Sequence, residues 1–246
     1  MSASTKAAYG SHFAERYRIE PFIKEFLVGE DLLGKKVLEI GVGLGADHQL
    51  MFEAGAKLKG IDLTARAVEH TRRRMALFDY PCEVACGDAE KLCFENDSFD
   101  VVVSWGVIHH SPDIGACISE IRRVLKPGGV ALIMIYHRYS FVGLMLWFRY
   151  GLCKLKPFSN LDSIYSKYLE SPGTKAFSVD QAEDLFKSFD DLQISTKLCQ
   201  GDLLTDGAGQ RHDGYMIKIA RMVWPRTVIK KYFASFGLYM LIRAVK

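Results

Sequence analysis

Two kinds of apolar pattern alternate along the chain. Short continuous runs such as "KVLEI" (36–40) and "FDVVVSW" (99–105) are bounded by glycine or polar residues and predict strands buried on both faces. Between them, apolar residues recur three and four apart, the period of a helix with one buried face. Residues 11 to 33 predict one or two such helices, interrupted at Pro21. "ADHQLMFEAG" predicts a helix stopped by Gly55, and "KLKGIDL" a second strand. "TARAVEHTRRRMALF" predicts a helix capped by Thr64, with Arg72, Arg73 and Arg74 on a solvated face. "CEVACGD" (82–88) is the third strand and residues 99–105 the fourth. The helix "IGACISEIRRVL" then ends before the turn "KPGG", and "VALIMIY" (130–136) is the fifth strand.

Strands and helices alternating at this spacing predict an α/β fold built on a doubly wound parallel sheet. After residue 136 the pattern changes. Residues 137–175 are rich in aromatic and basic side chains and predict an inserted cap, with Leu144, Trp147, Phe148 and Leu152 at helical spacing. "SVDQAEDLFKSF" predicts a helix capped by Ser178, and residues 192–198 and 237–245 two further strands. The glycine-rich stretch 201–215 reads as a flap or a surface loop. The expected organisation is a single domain, 1–246, with an N-terminal helical lid (1–34) and the cap at about 137–175.

Composition narrows the function classes. With 246 residues, 49% of them hydrophobic, there is ample core for one large α/β domain. A net charge of +3 is too small to argue for nucleic acid. Cys82 and Cys86 are spaced C-x3-C without a following pair at zinc-finger spacing, so buried reduced thiols are expected, with a thiol site for a soft metalloid as the alternative. The N-terminus lacks an apolar core of signal-peptide length, and no window holds 18 uninterrupted apolar residues, which leaves the cytoplasm as the expected location.

The chemistry concentrates in "KKVLEIGVGLGADHQLMFEAGAKLKGIDLT" (35–64). Gly41, Gly43 and Gly45 let the backbone turn tightly and let a ligand approach it. Asp62 lies 21 residues after Gly41 at the end of the second strand, where a carboxylate can accept from both hydroxyls of a ribose. Gly41, Gly43 and Ala46 also satisfy the dinucleotide pattern G-x-G-x-x-G/A, so the turn by itself leaves two ligand classes open. Asp88 in "CGDAEKL", the run "SWGVIHHSPD" after strand four and "LKPGGVALIMIY" before strand five follow in order.

With those motifs in place, the chain resembles the class I S-adenosylmethionine-dependent methyltransferases, in particular small-molecule members of the ubiquinone and menaquinone type. The resemblance is strong over about residues 36–136. It implies a Rossmann-like seven-stranded sheet of order 3-2-1-4-5-7-6, with the last strand antiparallel and a helical substrate cap. Glu39 and the turn from Gly41 to Gly45 would face the methionine portion of the cofactor. Asp62 would hold the ribose, Leu63 would pack on the adenine, and Asp88 with Ala89 would recognise its edge. Ser104 and Trp105 would line the methionine side through their backbone, with His109 packing against the pocket. The methyl would move to a small-molecule acceptor by in-line displacement, leaving S-adenosylhomocysteine.

His110 is the candidate general base, since an imidazole beyond strand four could take the acceptor's proton. Tyr9 or Tyr17 on the N-terminal helix could approach the methyl donor, and Arg16 its carboxylate. His137, Arg138 and Tyr139 at the end of strand five, with Tyr165 and Tyr168 in the cap, are candidate acceptor-binding residues. Arg138 would bind an acidic group or pair with a cap acid. The aromatic cap tilts the acceptor towards an apolar or aromatic molecule, and its basic neighbours suggest weak contact with a membrane surface. Two other readings compete: a short-chain NAD(P)-dependent oxidoreductase, for which Tyr150 and Lys154 match Y-x-x-x-K, and a non-catalytic cofactor-binding partner subunit.

Overall fold

The computed structural model describes residues 6–205 and 220–246. Most of the glycine-rich stretch expected as a flap or loop (201–215) therefore lies outside the described residues. The strands are β1 (Lys36–Ile40), β2 (Lys57–Asp62), β3 (Glu83–Cys86), β4 (Phe99–Trp105), β5 (Leu125–Tyr136), β6 (Asp191–Lys197) and β7 (Tyr239–Val245). They form one sheet in the order β3-β2-β1-β4-β5-β7-β6. β1 pairs in parallel with β2 and β4, and β2 with β3. β7 runs antiparallel: Gly128 near the start of β5 donates to Lys246 O at 2.7 Å, and Lys246 donates back to Gly129 O. β5 thus begins five residues before the expected 130–136, because its Pro-Gly-Gly segment is itself paired with the chain end.

The chain forms two compact units. The first comprises Met1–Ile133, Leu185–Gln193 and Ile242–Lys246, and the second Met134–Asp184 and Ile194–Leu241. In the first unit, α1 (Lys6–Ile19) gives way to α2 (Pro21–Leu27), with Pro21 at the first position of α2. Tyr17, Ile23, Leu27 and Leu32 enter the same core cluster as Val37 of β1 and Val101 and Val103 of β4. The N-terminal helices are therefore built into the core. α3 (Ala46–Glu53) ends at Gly55, whose φ of +88° supplies the left-handed stop. α4 (Ala65–Leu77) starts at Thr64, whose hydroxyl accepts from Ala67 N. α5 (Ile114–Val124) is capped by Asp113.

The second unit holds α6 (Phe141–Tyr150), α7 (Leu161–Tyr168), α9 (Gln200–Leu203) and α10 (Arg226–Tyr232), while α8 (Val179–Leu185) follows Ser178. Ser178 accepts from Gln181 N, and Gln181 Oε1 accepts back from Ser178 N. The reciprocal cap is thus closed by an amide. Asp202 is fully buried and accepts from the backbone N–H groups of Val142, Cys199 and Leu238 at 3.1, 3.0 and 2.8 Å. One carboxylate thereby ties α6, α9 and the start of β7 together. Among the described residues no helix is long and apolar enough to cross a membrane.

Candidate functional site

The turn after β1 is shaped by backbone conformation. Gly41, Gly43 and Gly45 have φ of +86°, +52° and +74°, a region that costs other residues about 1–2 kcal/mol. Gly41 and Val42 donate to Ile61 O, which locks the turn to β2. A Cβ at Gly41 would lie 2.1 Å from Val107 Cγ2, so Val107 packs directly against the turn. At Gly43 an added Cβ would meet nothing within 4 Å, so the turn is open there to an approaching ligand.

Asp62 closes the other side. Its Oδ2 accepts from Gly43 N at 3.2 Å, and its Oδ1 from Thr64 N and Oγ1 at 2.9 Å each. The carboxylate is half-buried, and three bonds leave capacity for about one more at a group with about four acceptor sites. Leu63, next along, is 76% exposed. Exposed Asp88 accepts from Glu90 N at 2.9 Å, beside half-buried Ala89. Ser104 is fully buried, and its Oγ has no hydrogen-bond partner among the described residues. Trp105 packs edge-on against Phe26 and carries the Arg16 guanidinium 5.8 Å from its ring centre. His109 is fully buried and His110 half-buried in a single 3-10 turn, their rings 4.3 Å apart. An open glycine turn, an acid pinned beside it, an exposed leucine and a buried hydroxyl with unused capacity together fit an adenosine-type cofactor.

Beneath this surface lies a polar layer absent from the sequence reading. Asp47, His48 and Gln49, three consecutive residues of α3, are all buried. Arg16 makes a two-pronged ion pair with Asp47 at 2.8 and 2.6 Å, and Tyr17 donates to Asp47 Oδ1 at 2.7 Å. Burial, and then the Asp47 charge, push the Tyr17 phenol far above its ordinary range, so it stays a donor. The hydroxyl and guanidinium expected near the methyl donor are thus engaged by Asp47. Glu39 is 3% exposed, and its Oε2 lies 2.7 Å from His48 Nδ1. Arg74, expected on a solvated face, is instead fully buried; it donates to Gln49 Oε1, Leu44 O and Tyr9 O. The run Arg72–Arg74 is polar all round, but only burial reveals which arginine turns inward. The legible signal was "ADHQ", a first helical turn with too few apolar residues for its central position.

Burial opposes a charge on His48, but hydrogen bonds with Cys82 and Glu39 prevail and raise the imidazole to about 9. A folded value above the ordinary 6.5 makes this contribution complete below pH 6.5 and lost as pH rises through about 9. Urea denaturation from pH 6 to 9.5 should therefore show stability falling by about 1–3 kcal/mol more than in His48→Gln. Parallel pH profiles for the two proteins would contradict the linkage.

The second unit carries the other candidates. His137 is buried, and its Nδ1 donates to Gly237 O at 3.1 Å; burial lowers its pKa. Arg138 pairs with the cap acid Asp162 at 2.7 Å. Tyr139 is 55% exposed and meets the His137 ring edge-on. Tyr165 is fully buried; its hydroxyl donates to Arg138 O and touches Ser140 Oγ, and burial raises it to about 12. Tyr168 stacks flat on Tyr150 at 3.8 Å. α6 ends at Tyr150, and Lys154 sits in a separate 3-10 turn beyond Gly151. The Y-x-x-x-K pair therefore does not share one helical face, which removes its spacing argument.

Residues 38–133 match the family described as "Methyltransferase domain". Over that stretch the chain is similar to methyltransferase domains. The match to this methyltransferase domain stops at Ile133, where the first stretch of the first unit also ends. Relatives include a phosphoethanolamine N-methyltransferase 2 of Caenorhabditis elegans, 37% identical over 116 residues (46% of this chain, 26% of that protein). A ubiquinone biosynthesis O-methyltransferase of Ralstonia nicotianae is 33% identical over 134 residues, 52% of this chain and 55% of that protein. The chain thus spans about half or less of the length of these relatives. A solved S-adenosylmethionine-dependent methyltransferase of Thermotoga maritima shares the fold at a TM-score of 0.58 and 22% identity, covering 96% of this chain and 99% of that one. An N- and an O-methyltransferase thus both share the methyltransferase domain of this chain.

Proposed function

We propose that the protein is an S-adenosylmethionine-dependent methyltransferase acting on a small-molecule acceptor of apolar or aromatic character. The observation that carries this reading is the glycine turn, open at Gly43 and pinned by Asp62. The similarity of the methyltransferase domain to N- and O-methyltransferases supports it. In this reading the chain works as one enzyme, with residues 1–34 covering the cofactor and about 137–175 selecting the acceptor.

Bound at the turn, S-adenosylmethionine supplies an electrophilic methyl group and departs as the neutral thioether S-adenosylhomocysteine. Asp62 holds the ribose with its remaining acceptor capacity, Leu63 covers the adenine, and Asp88 and Ala89 read its edge. Ser104 and Trp105 line the methionine side. The protein's main task is alignment, which can supply about 7–11 kcal/mol in well-oriented reactions. His110 takes the acceptor's proton as the acceptor atom bonds to the methyl carbon. His137, Arg138 and Tyr139 present the acceptor.

Asp62→Ala tests the pose. Titration calorimetry should show S-adenosylmethionine binding weakened by about 1.5–3 kcal/mol, roughly 10- to 150-fold, since a charged acceptor is lost. NAD should give no binding heat with either protein. An unchanged dissociation constant in Asp62→Ala would contradict the reading.

A further inference from the structure

The second unit carries a cavity of about 560 Å³ whose rim includes Arg138 and Tyr139, assigned above to the acceptor, and whose walls extend well beyond them. α6 contributes Phe141, Leu144 and Trp147 to its walls, and the segment leading into and past α10 contributes Trp224, Val228 and Phe233. Its size falls within the roughly 300–1,000 Å³ of small-molecule pockets. It is preformed: Trp224 donates to Asp202 O, and Arg226 to the carbonyls of Leu203 and Leu204. Asp202 is the buried carboxylate that also fixes the start of α6.

The surroundings of this cavity are unusual in two independent ways. Apolar side chains stand in water beside it: Leu155 is 91% exposed, Phe158 99% and Met222 81%. Charge in the two segments that supply most of its walls is also one-sided, while Arg138 on its rim pairs with Asp162. Residues 141–160 contain Arg149, Lys154 and Lys156, and residues 220–236 contain Arg221, Arg226, Lys230 and Lys231, with no Asp or Glu in either segment. The whole chain is only +3, so everything outside these two segments is net acidic. Lys154, Lys156, Lys230 and Lys231 are all exposed. A protein partner could match the apolar side chains, but basic residues interleaved with fully exposed leucine and phenylalanine match an anionic bilayer, whose headgroups take the charge and whose chains take the apolar tips.

We propose that the second unit docks on anionic lipid bilayers through segments 141–160 and 220–236, and that the cavity between them receives one acyl chain. The proposal goes beyond methyl transfer and does not rest on it. Its test reads binding alone, so it can fail while the methyltransferase reading stands, and the reverse.

The full chain is mixed with vesicles of pure phosphatidylcholine or of phosphatidylcholine with about 30% phosphatidylserine, and the bound fraction is read by sedimentation. The anionic vesicles should bind at least about tenfold tighter at ~0.1 M salt, and the excess should fade as salt rises. Charge reversal at all four exposed lysines (K154E, K156E, K230E, K231E) should abolish the excess while circular dichroism stays native. Phe158→Ser, a second variant at a residue with no packing to lose, should weaken binding at unchanged charge. Two of the three tryptophans, Trp147 and Trp224, line the cavity. Vesicles with brominated acyl chains should quench the emission, and Trp147→Phe with Trp224→Phe should remove that quenching. Equal binding to neutral and anionic vesicles, or none, overturns the proposal. So does anionic binding without quenching, or a concentration-dependent dimer that accounts for the same surface.

Discussion

Replacing His110 with alanine should slow methyl transfer by about 10²–10⁴-fold, the range for loss of a positioned general base. The placement of this histidine follows from a close contact. Val107 fills the space that a Cβ at Gly41 would need, so the turn leading to His110 lies against the glycine turn. Three residues on, His110 N donates to Val107 O at 2.9 Å, which closes the turn with backbone alone. The imidazole is half-buried and lies tilted beside the His109 ring, 4.3 Å away. Removing it therefore leaves the glycine turn, Asp62 and Leu63 intact. Labelled methyl transfer into fractionated extract gives the rate, and calorimetry should show S-adenosylmethionine affinity within about twofold of the parent protein. A variant running at full speed would end the base assignment, whereas one that loses cofactor affinity would mark His110 as part of the cofactor pocket.

Arg74→Ala should be the most damaging substitution for stability. The guanidinium has no exposure, and burial lowers its pKa, which expresses the cost of keeping this cation out of water. Its contacts offset that cost: Nε to Gln49 Oε1 at 2.8 Å, Nη2 to Tyr9 O at 3.0 Å and Nη1 to Leu44 O at 3.2 Å. It also lies over the rings of Tyr9 and Phe13. One side chain on α4 thereby links α1 to the residue preceding Gly45. Truncation strands two carbonyls and an amide and opens a cavity, for about 3–5 kcal/mol. At about 2–4 °C per kcal/mol for a chain of this size, Tm should fall by roughly 6–20 °C. Arg74→Lys should fall between, since a lysine keeps the charge but cannot span three acceptors. Hydrogen exchange should place the loosening in α1 and the glycine turn. A Tm within two or three degrees of the parent would show that the clamp is dispensable.

How much of this was legible beforehand differs from element to element. The strands buried on both faces, "KVLEI", "FDVVVSW" and "VALIMIY", could be read because their apolar runs have no other place in a chain with glycine turns between them. Thr64 and Gly55 could be read as helix ends, because capping depends on residues within one turn. The order of the seven strands and the antiparallel β7 followed from the resemblance, and the sheet has that order. By contrast, "ADHQ" marked a polar turn in a central helix, but the partners of the arginine run on α4, of the Arg16–Asp47–Tyr17 cluster and of the Glu39–His48 pair could not be read. Their partners lie between 9 and 65 residues away, and nothing in local spacing encodes such a meeting.

The sequence by itself therefore determined the alternation of strand and helix, the glycine turn and the acid beside it, since each is a matter of local backbone geometry and burial on one face. Only the tertiary structure decided which polar groups go inside, that Arg74 supports the turn and that Asp47 holds α1. It also decided that two segments rich in basic residues, 141–160 and 220–236, contribute walls to one cavity. A buried charge is tolerated only when partners from distant segments arrive together, and that condition is met by folding.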